Sequence, residues 1–515
     1  MTAEHGSPPG EDVISGRDIT SGRDITSGRD ALTRGETVER DVVVVGGGPA
    51  GLTAAARLAS AGLAVTVLDE QPELGGQYYR RPAPAVARQW GDHRPEGGLL
   101  IDRVRAAGAE CRTGHLVWGA DDDGRTLLAT DPAGHPVRLR ARHLVLATGA
   151  FERAFPFPGW QLPGVTTPGF AQHLASADHT PVGSRVVLAG SGPFLLPVAC
   201  SLLALGVNVL GIAEAGTPYR PRLRALGTLE HPARLRELAG YAARLARARV
   251  PIWQGTVVLR ADGGDQVSSV TLAAATRPAH PVRTVQVDAL CVGYGFRPQA
   301  DLARMLGCAT RTDTPGGDVV PLTDAAGRTS RENVYVVGEA AGIGGVHAAK
   351  ARGLAAAHDI LAREGLPVRV TRRAAAARRR LARFTALTDA LYPSPADLLA
   401  TLTHATPGDT MICRCEAVTA AEIRAVAAGG ADGDLNATKA WTRAGMGPCQ
   451  GRECGFAVAG LVRSAAPGSG AGNGGRDGER RVEVFPSRLP VRPVPISTLL
   501  EMPEPASAEA EGDRS

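Results

Sequence analysis

The chain has 515 residues, of which 43% are hydrophobic, enough for two or three domains with substantial cores. Its net charge of +5 comes from basic residues scattered along the chain, with only 7 Tyr and 9 Phe, which argues against a nucleic-acid-binding face. No nucleic-acid partner is therefore expected. No stretch approaches the ~18 consecutive apolar residues of a membrane-spanning helix, so no transmembrane segment is expected either.

The N-terminal segment, residues 1–38, contains SGRDIT at Ser15–Thr20 and again at Ser21–Thr26. A six-residue repeat with little apolar content cannot build a packed unit, so a disordered leader is predicted. The segment has no basic start followed by an apolar region, which predicts that a secretory signal is absent and that the protein is cytoplasmic.

The first ordered elements predicted are a strand at Asp41–Val45, a glycine-rich turn and a helix over Leu52–Ala61. In the turn, Gly46 permits a tight bend, and Gly48 lets backbone amides approach a pyrophosphate. Gly51 lets the helix lie close to the strand, and the helix N-terminus supplies partial positive charge. The pattern therefore predicts a dinucleotide-binding turn.

A second strand, Ala64–Leu68, places Asp69 where a carboxylate can accept hydrogen bonds from the ribose hydroxyls of an adenine dinucleotide, with Glu70 as the alternative. The agreement of strand, glycines, helix, strand and acid favours this interpretation over a plain turn. The predicted cofactor contacts in this stretch are Gly46, Gly48, Pro49, Ala50, Gly51, Asp69 and Glu70.

Three later segments carry further candidate contacts. Gly76 and Gln77 follow the ribose acid closely and indicate a backbone near a ligand, although an ordinary turn is the alternative. Thr148–Gly149 closes a strand that ends in LVLATGA. Gly338–Glu339 also ends a strand and precedes a helix N-terminus, which predicts a second site for anions and hydroxyls.

A second strand–turn–helix pattern begins at Arg185–Ala189. Gly190 and Gly192 fit the same fingerprint, but Leu195 stands where the third glycine would be. A leucine there should hold the helix off the strand or fill the space that a nicotinamide dinucleotide's pyrophosphate needs. The fold is therefore predicted to repeat, while an adenine nucleotide, NAD or no ligand stays open for this unit.

Four of the eight cysteines form two close pairs near the C-terminus. Cys413 and Cys415 are a CxC pair, Cys449 and Cys454 have four residues between them, and 33 residues separate the pairs. Four thiolates on two turns suit zinc or an iron–sulfur cluster. Zinc ribbons usually use CxxC, so the spacing favours [2Fe–2S] over zinc and over four buried free thiols. The other cysteines are isolated and are predicted to be buried small hydrophobes: Cys111, Cys200, Cys291 and Cys308.

The segments CRCEAVTAAEI and TKAWTRAGMGPCQGREC resemble the bacterioferritin-associated-ferredoxin type of [2Fe–2S] domain. The resemblance implies that Cys413, Cys415, Cys449 and Cys454 are the cluster ligands. Residues 41–360 resemble the two-dinucleotide-domain flavoproteins, which implies FAD at the first glycine turn and at Asp69. In that family a terminal Gly-Asp meets the ribityl chain, whereas this chain has Gly338-Glu339.

Three further stretches, FPFPGWQLPGVTTPG, AGSGPFLLPVA and RLPVRPVPIS, are similar to a narrower group. It comprises the large flavoprotein subunits of opine oxidase, hydrogen cyanide synthase and dye-linked proline or hydroxyproline dehydrogenase, with similarity to part of the sarcosine oxidase alpha subunit. The resemblance implies that the partner is a separate D-amino-acid-oxidase-like FAD subunit. A further candidate partner is a small ferredoxin-like subunit.

The expected fold class is α/β, with paired Rossmann-like units and a small α-helical [2Fe–2S] domain. The FAD-binding domain is expected at residues 39–180 and 285–365, and an NAD-binding-like domain at 181–284. The remaining segments are a helical connector, a cluster domain, and a linker with an extended tail, at 366–408, 409–465 and 466–515 respectively.

These features predict an FAD- and [2Fe–2S]-containing electron-transfer subunit of a heteromeric enzyme that oxidises the C–N bond of an amino acid, imino acid or opine. No catalytic acid or base is identified in this chain, since the substrate is expected to bind elsewhere. Two alternatives stay open: a self-sufficient NAD(P)H-dependent flavoprotein reductase, and a non-catalytic nucleotide-binding scaffold subunit.

Overall fold

The computed structural model describes residues 37–91, 94–121, 124–218, 231–313, 318–368, 372–392, 396–429, 434–465, 485 and 489–502. The predicted disordered leader, apart from residues 37 and 38, and the Gly-rich part of the predicted linker lie outside these residues. Within them, no helix is long and apolar enough to cross a membrane.

The described strands fall into two parallel or mixed sheets, one three-stranded antiparallel sheet of order β12-β13-β14, and short antiparallel pairs. Those of the first half are β1 Thr37–Val45, β2 Val65–Asp69, β3 Glu110–Thr113, β4 Leu116–Ala120, β5 Thr126–Thr130, β6 Pro136–Leu146, β7 Ala150–Glu152, β8 Val165–Thr166, β9 Arg185–Gly190 and β10 Asn208–Glu214. Those of the second half are β11 Ile252–Gln254, β12 Thr256–Gly263, β13 Val267–Ala274, β14 Arg277–Gln286, β15 Ala289–Gly293, β16 Phe296–Pro298, β17 Thr310–Asp313, β18 Asp318–Pro321, β19 Val334–Val336, β20 Met411–Cys413 and β21 Val418–Thr419.

The helices pack on the sheets and form most of the C-terminal part. They are α1 Pro49–Ala59, α2 Pro84–Trp90, α3 Pro95–Ala106, α4 Pro168–Ala177, α5 Leu195–Ala204, α6 Pro232–Arg247, α7 Asp301–Met305, α8 Gly345–Arg363, α9 Arg372–Leu391, α10 Ala396–Ala405, α11 Ala420–Ala428, α12 Leu435–Thr442, α13 Gly455–Ala465 and α14 Ile496–Leu500. A short 3-10 turn spans Gly338–Ala341.

The first sheet has the order β3-β2-β1-β6-β5-β4, with β19 also paired to β6. β1 lies between β2 and β6 and is parallel to both. Val42–Val45 are buried, as expected for a central parallel strand covered on both faces. β1 begins at Thr37, four residues before the predicted start, because Thr37–Arg40 pair with Arg138–Ala141 of β6.

The second sheet has the order β11-β10-β9-β15-β8. β15 pairs in parallel with β9 along its whole length, from Ala289 beside Val186 to Gly293 beside Gly190. The sequence analysis expects the chain to return to the FAD-binding unit at residue 285, whereas the structure places β15 in the second sheet. A run of five buried residues suits a central strand of either sheet, so only tertiary pairing decides between them.

The helical connector predicted over residues 366–408 contains α9 and α10. Leu399 and Leu402 of α10 share a hydrophobic core with Val257 and Leu272 of the β12–β14 sheet and with Phe456 of α13. α10 therefore packs the cluster domain against the second unit. The architecture is that of two Rossmann-like units followed by a small, mainly helical domain, which agrees with the predicted fold class.

Candidate cofactor sites

Two positions at the turn after β1 accept only glycine. Gly46 has φ +107°, and a Cβ there would collide with the Ala147 carbonyl oxygen. A Cβ at Gly51 would collide with the Gly46 carbonyl oxygen. α1 therefore starts in close contact with β1, and its first turn is regular, with the Leu52 N–H donating to Gly48 O at 2.9 Å. Its N-terminus is shaped for an anion.

The predicted loop at Gly76 lies directly against this turn. The Gly75 N–H donates to Gly47 O at 2.8 Å, and a Cβ at Gly76 would lie 2.8 Å from the Gly48 Cα. The two glycine segments thus form one surface of backbone atoms with no side chain between them. This absence of side chains is what close approach of a dinucleotide requires, so the residues present fit FAD. Gln77 is exposed at the edge of the surface.

Asp69 is buried at the end of β2, with 6% of its surface exposed. The Gly47 N–H donates to its Oδ2 at 2.6 Å, and the Gln71 N–H donates to its Oδ1 at 2.8 Å. Burial raises the pKa of Asp69, and these two amide donors oppose the rise. Each carboxylate oxygen keeps a lone pair for a ribose hydroxyl.

The other predicted contacts gather around the same turn. Ala147, next to Thr148, donates its N–H to Val45 O at 2.8 Å, so the Thr148–Gly149 segment runs beside the glycine turn. Gly338 lies against α1, because a Cβ there would be 2.9 Å from the Ala50 Cβ.

Glu339 turns its carboxylate toward the start of α8. Its Oε1 accepts hydrogen bonds from the N–H groups of Gly344 and Gly345, at 3.2 and 2.7 Å. Arg352 of α8 donates to Gly338 O at 2.9 Å and also to Gly342 O. The Glu339 side chain thus caps α8, and its contact with a ribityl chain stays a prediction.

The second unit differs from the first at the start of its helix. Gly190 is again required, since a Cβ would collide with Gly293 O, but α5 begins at Leu195 rather than directly after Gly192. The first backbone hydrogen bonds of this turn are long, with the Leu195 N–H donating to Gly192 O at 3.4 Å. Leu195 is 2% exposed and packs in the core with Leu188 and Ile212. Its side chain thus fills the core under the helix.

Glu214, at the end of β10, occupies the position that Asp69 has in the first unit. It is 1% exposed and accepts hydrogen bonds from the N–H groups of Gly192 and Gly216, at 3.1 and 3.0 Å. Burial raises its pKa. Its place, at the end of the second strand after the glycine turn, was a readable signal that the sequence analysis missed.

The four paired cysteines come together at one end of the C-terminal domain. Cys413 ends β20, Cys415 lies in the following turn, and Cys449 and Cys454 lie in the loop between α12 and α13. Cys454 hydrogen-bonds Cys413 and Cys449, and Cys449 also hydrogen-bonds Cys415. The four thiols are thus linked in series.

These contacts set the thiol pKa values. Hydrogen bonding from Cys454 lowers the pKa of Cys413 to about 6 and that of Cys449 to about 5. The pKa of Cys454 rises strongly because it is the donor. Burial raises the pKa of Cys415, so two of the four thiols lose their protons readily. Four thiolates are the usual ligand set of a [2Fe–2S] cluster. In the part of the chain that the structure describes, no group of three or more His, Cys, Asp or Glu side chains is arranged to hold a metal ion. It is the chemistry and the spacing of the four cysteines that fit the predicted cluster.

The loops around the sulfurs are held in uncommon backbone conformations. Ala417, Arg443 and Gln450 have φ between +52° and +65°, in the left-handed region that non-glycine residues rarely adopt. Backbone amides of Gly445 and Gly451 donate to Cys413 and Cys449 respectively. Such donors stabilise thiolates and tune a cluster's reduction potential.

The loop between Cys449 and Cys454 docks on the first unit. The Arg452 Nε donates to Asp301 Oδ2 at 2.9 Å, and the Arg297 Nη1 donates to Arg452 O at 3.0 Å. The strand that ends at Cys413 has its own contact, because the Trp160 Nε1 donates to Met411 O at 2.7 Å. Both cysteine-bearing segments are therefore tied to the flavoprotein part of the chain.

The isolated cysteines lie apart from this site. Cys291 is fully buried, which raises the pKa of its thiol to about 12, and burial also raises the pKa values of Cys111, Cys200 and Cys308. Protonated, buried thiols are poor nucleophiles. Cys200, Cys291 and Cys308 are buried small apolar side chains, as predicted, whereas Cys111 is only half-buried, so that prediction is wrong for Cys111.

Two family models match the chain. The model of pyridine nucleotide-disulphide oxidoreductases matches residues 40–353, and that of the BFD-like [2Fe-2S] binding domain matches residues 411–464. The second match confirms the predicted cluster domain. The first spans both dinucleotide units, and its flavoprotein character confirms FAD as a cofactor.

Whole-chain relatives extend these matches. The A subunit of opine oxidase from Rhizobium meliloti (strain 1021) is 35% identical over 90% of this chain and 99% of its own. Hydrogen cyanide synthase subunit HcnB of Pseudomonas aeruginosa is 33% identical over 88% of this chain and 97% of its own. The crystal structure of L-proline dehydrogenase from P. horikoshii superposes with a TM-score of 0.61, covering 90% of this chain and 80% of that one at 22% identity, which supports the fold. The resemblance inferred from the sequence is confirmed.

Proposed function

Because the chain belongs to the pyridine nucleotide-disulphide oxidoreductase family and is a relative of the opine oxidase A subunit, we propose that it is the electron-transfer subunit of a heteromeric dehydrogenase or oxidase. The chain is an FAD-dependent oxidoreductase with a [2Fe–2S] domain. The proposed complex acts on the C–N bond of an amino acid, imino acid or opine. The names of the relatives, which are subunits of opine oxidase and hydrogen cyanide synthase, support this substrate class and a heteromeric assembly.

The observation that carries the proposal is the docking of the cysteine loop on the first dinucleotide unit. FAD exchanges electrons in pairs and a [2Fe–2S] cluster exchanges them singly, so a chain that holds both can divide an electron pair. The residues of this chain contribute by holding the dinucleotide site and the cysteine loop in place. Gly46, Gly51 and Asp69 shape the dinucleotide site, while Arg452 holds the loop of Cys449 and Cys454 against Asp301.

The electron donor proposed is a D-amino-acid-oxidase-like FAD subunit, and the further candidate partner is a small ferredoxin-like subunit. Among its described residues this chain has no pair of reactive cysteines in the flavoprotein part, and the thiols there are held protonated by burial. Its own chemistry is therefore electron transfer rather than disulfide exchange. The free thiols also support a reducing location, for which we propose the cytoplasm.

The test is to express this chain together with any D-amino-acid-oxidase-like flavoprotein that a neighbouring reading frame encodes. The proposal expects co-purification, FAD and iron in the complex, and bleaching of flavin absorbance only when an amino acid, imino acid or opine is added. Zinc without iron in protein purified without oxygen, or substrate oxidation that does not need this chain, would contradict it.

A second candidate, reduction by NADH through the second unit, is favoured by one observation. Glu214 is a buried acid at the position that binds ribose hydroxyls in dinucleotide sites. Rapid bleaching of the purified chain by NADH within seconds would favour this function. Retention of an adenine nucleotide without bleaching would favour a structural role of the second unit.

A further inference from the structure

A C-terminal segment, defined here as the strap and consisting of Phe485 and residues 489–502, crosses the first sheet. The Val491 N–H donates to Trp118 O of the edge strand β4 at 2.7 Å, and Val491 is 4% exposed. Leu489 lies over Gly119, where a Cβ would collide with the leucine side chain. Thr498, fully buried, donates through Oγ1 to Gly134 O at 2.7 Å. The strap is therefore seated on the first unit at several points.

The same strap contacts the loop that carries the cluster ligands. The ring of Phe485 covers Gly445 and Gly451, leaving no space for a Cβ at either. The Gln450 Nε2 donates to Pro490 O at 3.2 Å. Phe485 also accepts, through its carbonyl oxygen, a hydrogen bond of 3.0 Å from Arg304 Nη2. The strap thus contacts both the first dinucleotide unit and the cluster domain.

Arg492 is the charged group that the strap brings to the first unit. Its guanidinium lies 3.5 Å from Glu70 Oε2 and 5.3 Å over the ring of Phe151, with 18% of the side chain exposed. With the Gln299 amide oriented so that its nitrogen donates to Thr148 O, its oxygen accepts from Arg492 Nη2 at 2.6 Å. Arg492 therefore connects residues from two of the predicted dinucleotide-contact segments.

The negative charge of Glu70 would repel a bound dinucleotide at this position. It follows the ribose acid Asp69 directly, so its carboxylate adds a second negative charge near the place where a dinucleotide brings a negatively charged pyrophosphate. Like charges repel more strongly where water is partly excluded, and here the Glu70 side chain is 43% exposed while the Arg492 side chain beside it is only 18% exposed. A cation beside Glu70 removes that repulsion, and Arg492 is the cation that contacts it.

We propose that the strap is part of the FAD site, with Arg492 acting as a positioning residue that neutralises Glu70, so that FAD retention and seating of the cluster loop depend on one segment. This inference rests on the assignment of FAD to the first unit. Arg492 acts through Glu70 rather than on the reacting atoms. Removing the arginine should therefore weaken FAD binding only while Glu70 keeps its charge.

The test is a double-mutant cycle in the full-length chain, read as the dissociation constant of FAD from flavin fluorescence. Arg492→Gln should weaken FAD binding by up to about 5-fold, because the ion pair with Glu70 is partly exposed to solvent, and Arg492→Lys should weaken it less. Glu70→Gln alone should tighten FAD binding, because it removes a negative charge beside the dinucleotide, and adding it to Arg492→Gln should restore most of the lost affinity.

An Arg492→Gln variant that binds FAD as tightly as the wild type, or a double variant no better than Arg492→Gln, would overturn the inference while leaving the proposed function standing. A wild-type chain that binds no FAD would overturn both.

Gly119→Val tests the strap without changing a charged residue. The valine should displace Leu489, remove hydrogen-exchange protection from residues 489–500 and weaken FAD binding. The matched control is Gly264→Val, because a Cβ at that exposed turn meets no neighbour. Full retention of protection, or loss of protection with unchanged FAD affinity, contradicts the inference.

Discussion

Gly51 sets how closely α1 approaches β1, so its replacement should be costly. In Gly51→Ala the added methyl group meets the Gly46 carbonyl oxygen, which is backbone and cannot rotate away. We expect a loss of about 1–3 kcal/mol in the free energy of unfolding, as for overpacked sites, and a lower FAD content per chain. The ratio of flavin absorbance to protein absorbance measures the second effect.

Gly98→Ala is the matched control for this substitution. Gly98 lies within α3, and a Cβ there meets no neighbour. Alanine should stabilise the helix by about 1 kcal/mol and leave FAD content unchanged. Equal FAD loss in both variants would contradict the role assigned to Gly51.

Substitution of a clustered cysteine should remove iron from the protein, whereas substitution of an isolated cysteine should not. Cys454 hydrogen-bonds two of the other three thiols, so Cys454→Ser should abolish iron binding and the visible absorbance of the cluster. Cys111→Ser, at a half-buried isolated position, should leave iron content at the wild-type value. Iron analysis of anaerobically purified protein measures both. Full iron content in Cys454→Ser would show that the ligand set is wrong.

The geometry around individual residues was predictable where the contact is local in sequence. Gly46 and Gly51 act within one turn, and a fixed spacing from the turn to Asp69 identifies the acid. Arg492 was not predictable as a site residue, because its contact with Glu70 joins opposite ends of the chain. Glu214 could have been found, since it repeats the position of Asp69 after the second glycine turn.

At the scale of the element, Leu195 should matter for the stability of α5 rather than for nucleotide exclusion. Its side chain is buried among Leu188 and Ile212. Leu195→Ala should therefore lower the free energy of unfolding by about 2–5 kcal/mol, the usual range for a leucine truncated in a core, without creating reduction by NADH. Chemical denaturation and NADH bleaching are the two measurements. NADH-dependent bleaching in the variant would mean that Leu195 blocks the nucleotide.

Helices and strands with clear local sequence patterns were predictable, whereas which strands lie side by side in a sheet was not. Thr419 and Glu422, three residues apart, have the spacing of a capping box, and in α11 the Thr419 N–H donates to Glu422 Oε2 at 2.7 Å. β15 is also recognisable as a strand, but its sheet depends on its neighbour β9. The start of β1 at Thr37 likewise depends on pairing with β6.

At the scale of the whole molecule, the two cofactor domains meet through a network of arginines and acids. Arg297 binds both Asp318 and the Arg452 carbonyl, and Arg452 binds Asp301. Arg153 also pairs with Asp318, in the buried part of the network. The network links the cysteine loop to the start of α7 and to the strands β16 and β18. It was not visible in the sequence, because the arginines are scattered.

Arg452→Gln should loosen this docking without removing either cofactor. The pair with Asp301 is only partly buried, so the expected loss in the free energy of unfolding is about 1 kcal/mol or less. Electron transfer from flavin to cluster should slow, because the loop is no longer fixed. Arg443→Gln is the control, since Arg443 pairs with Glu416 inside the cluster domain. Rapid-mixing absorbance compares the two, and equal rates in both would contradict the docking role.

We propose that electrons enter the flavin from a partner flavoprotein and leave through the cluster of this chain. Anaerobic rapid mixing of the reconstituted complex with its substrate, followed by freeze-quench electron paramagnetic resonance, tests this order of transfer. We expect flavin absorbance to fall first and the signal of a reduced [2Fe–2S] cluster then to grow within one turnover, with no comparable signal after NADH. A cluster that stays oxidised while substrate is consumed at the full rate would contradict it.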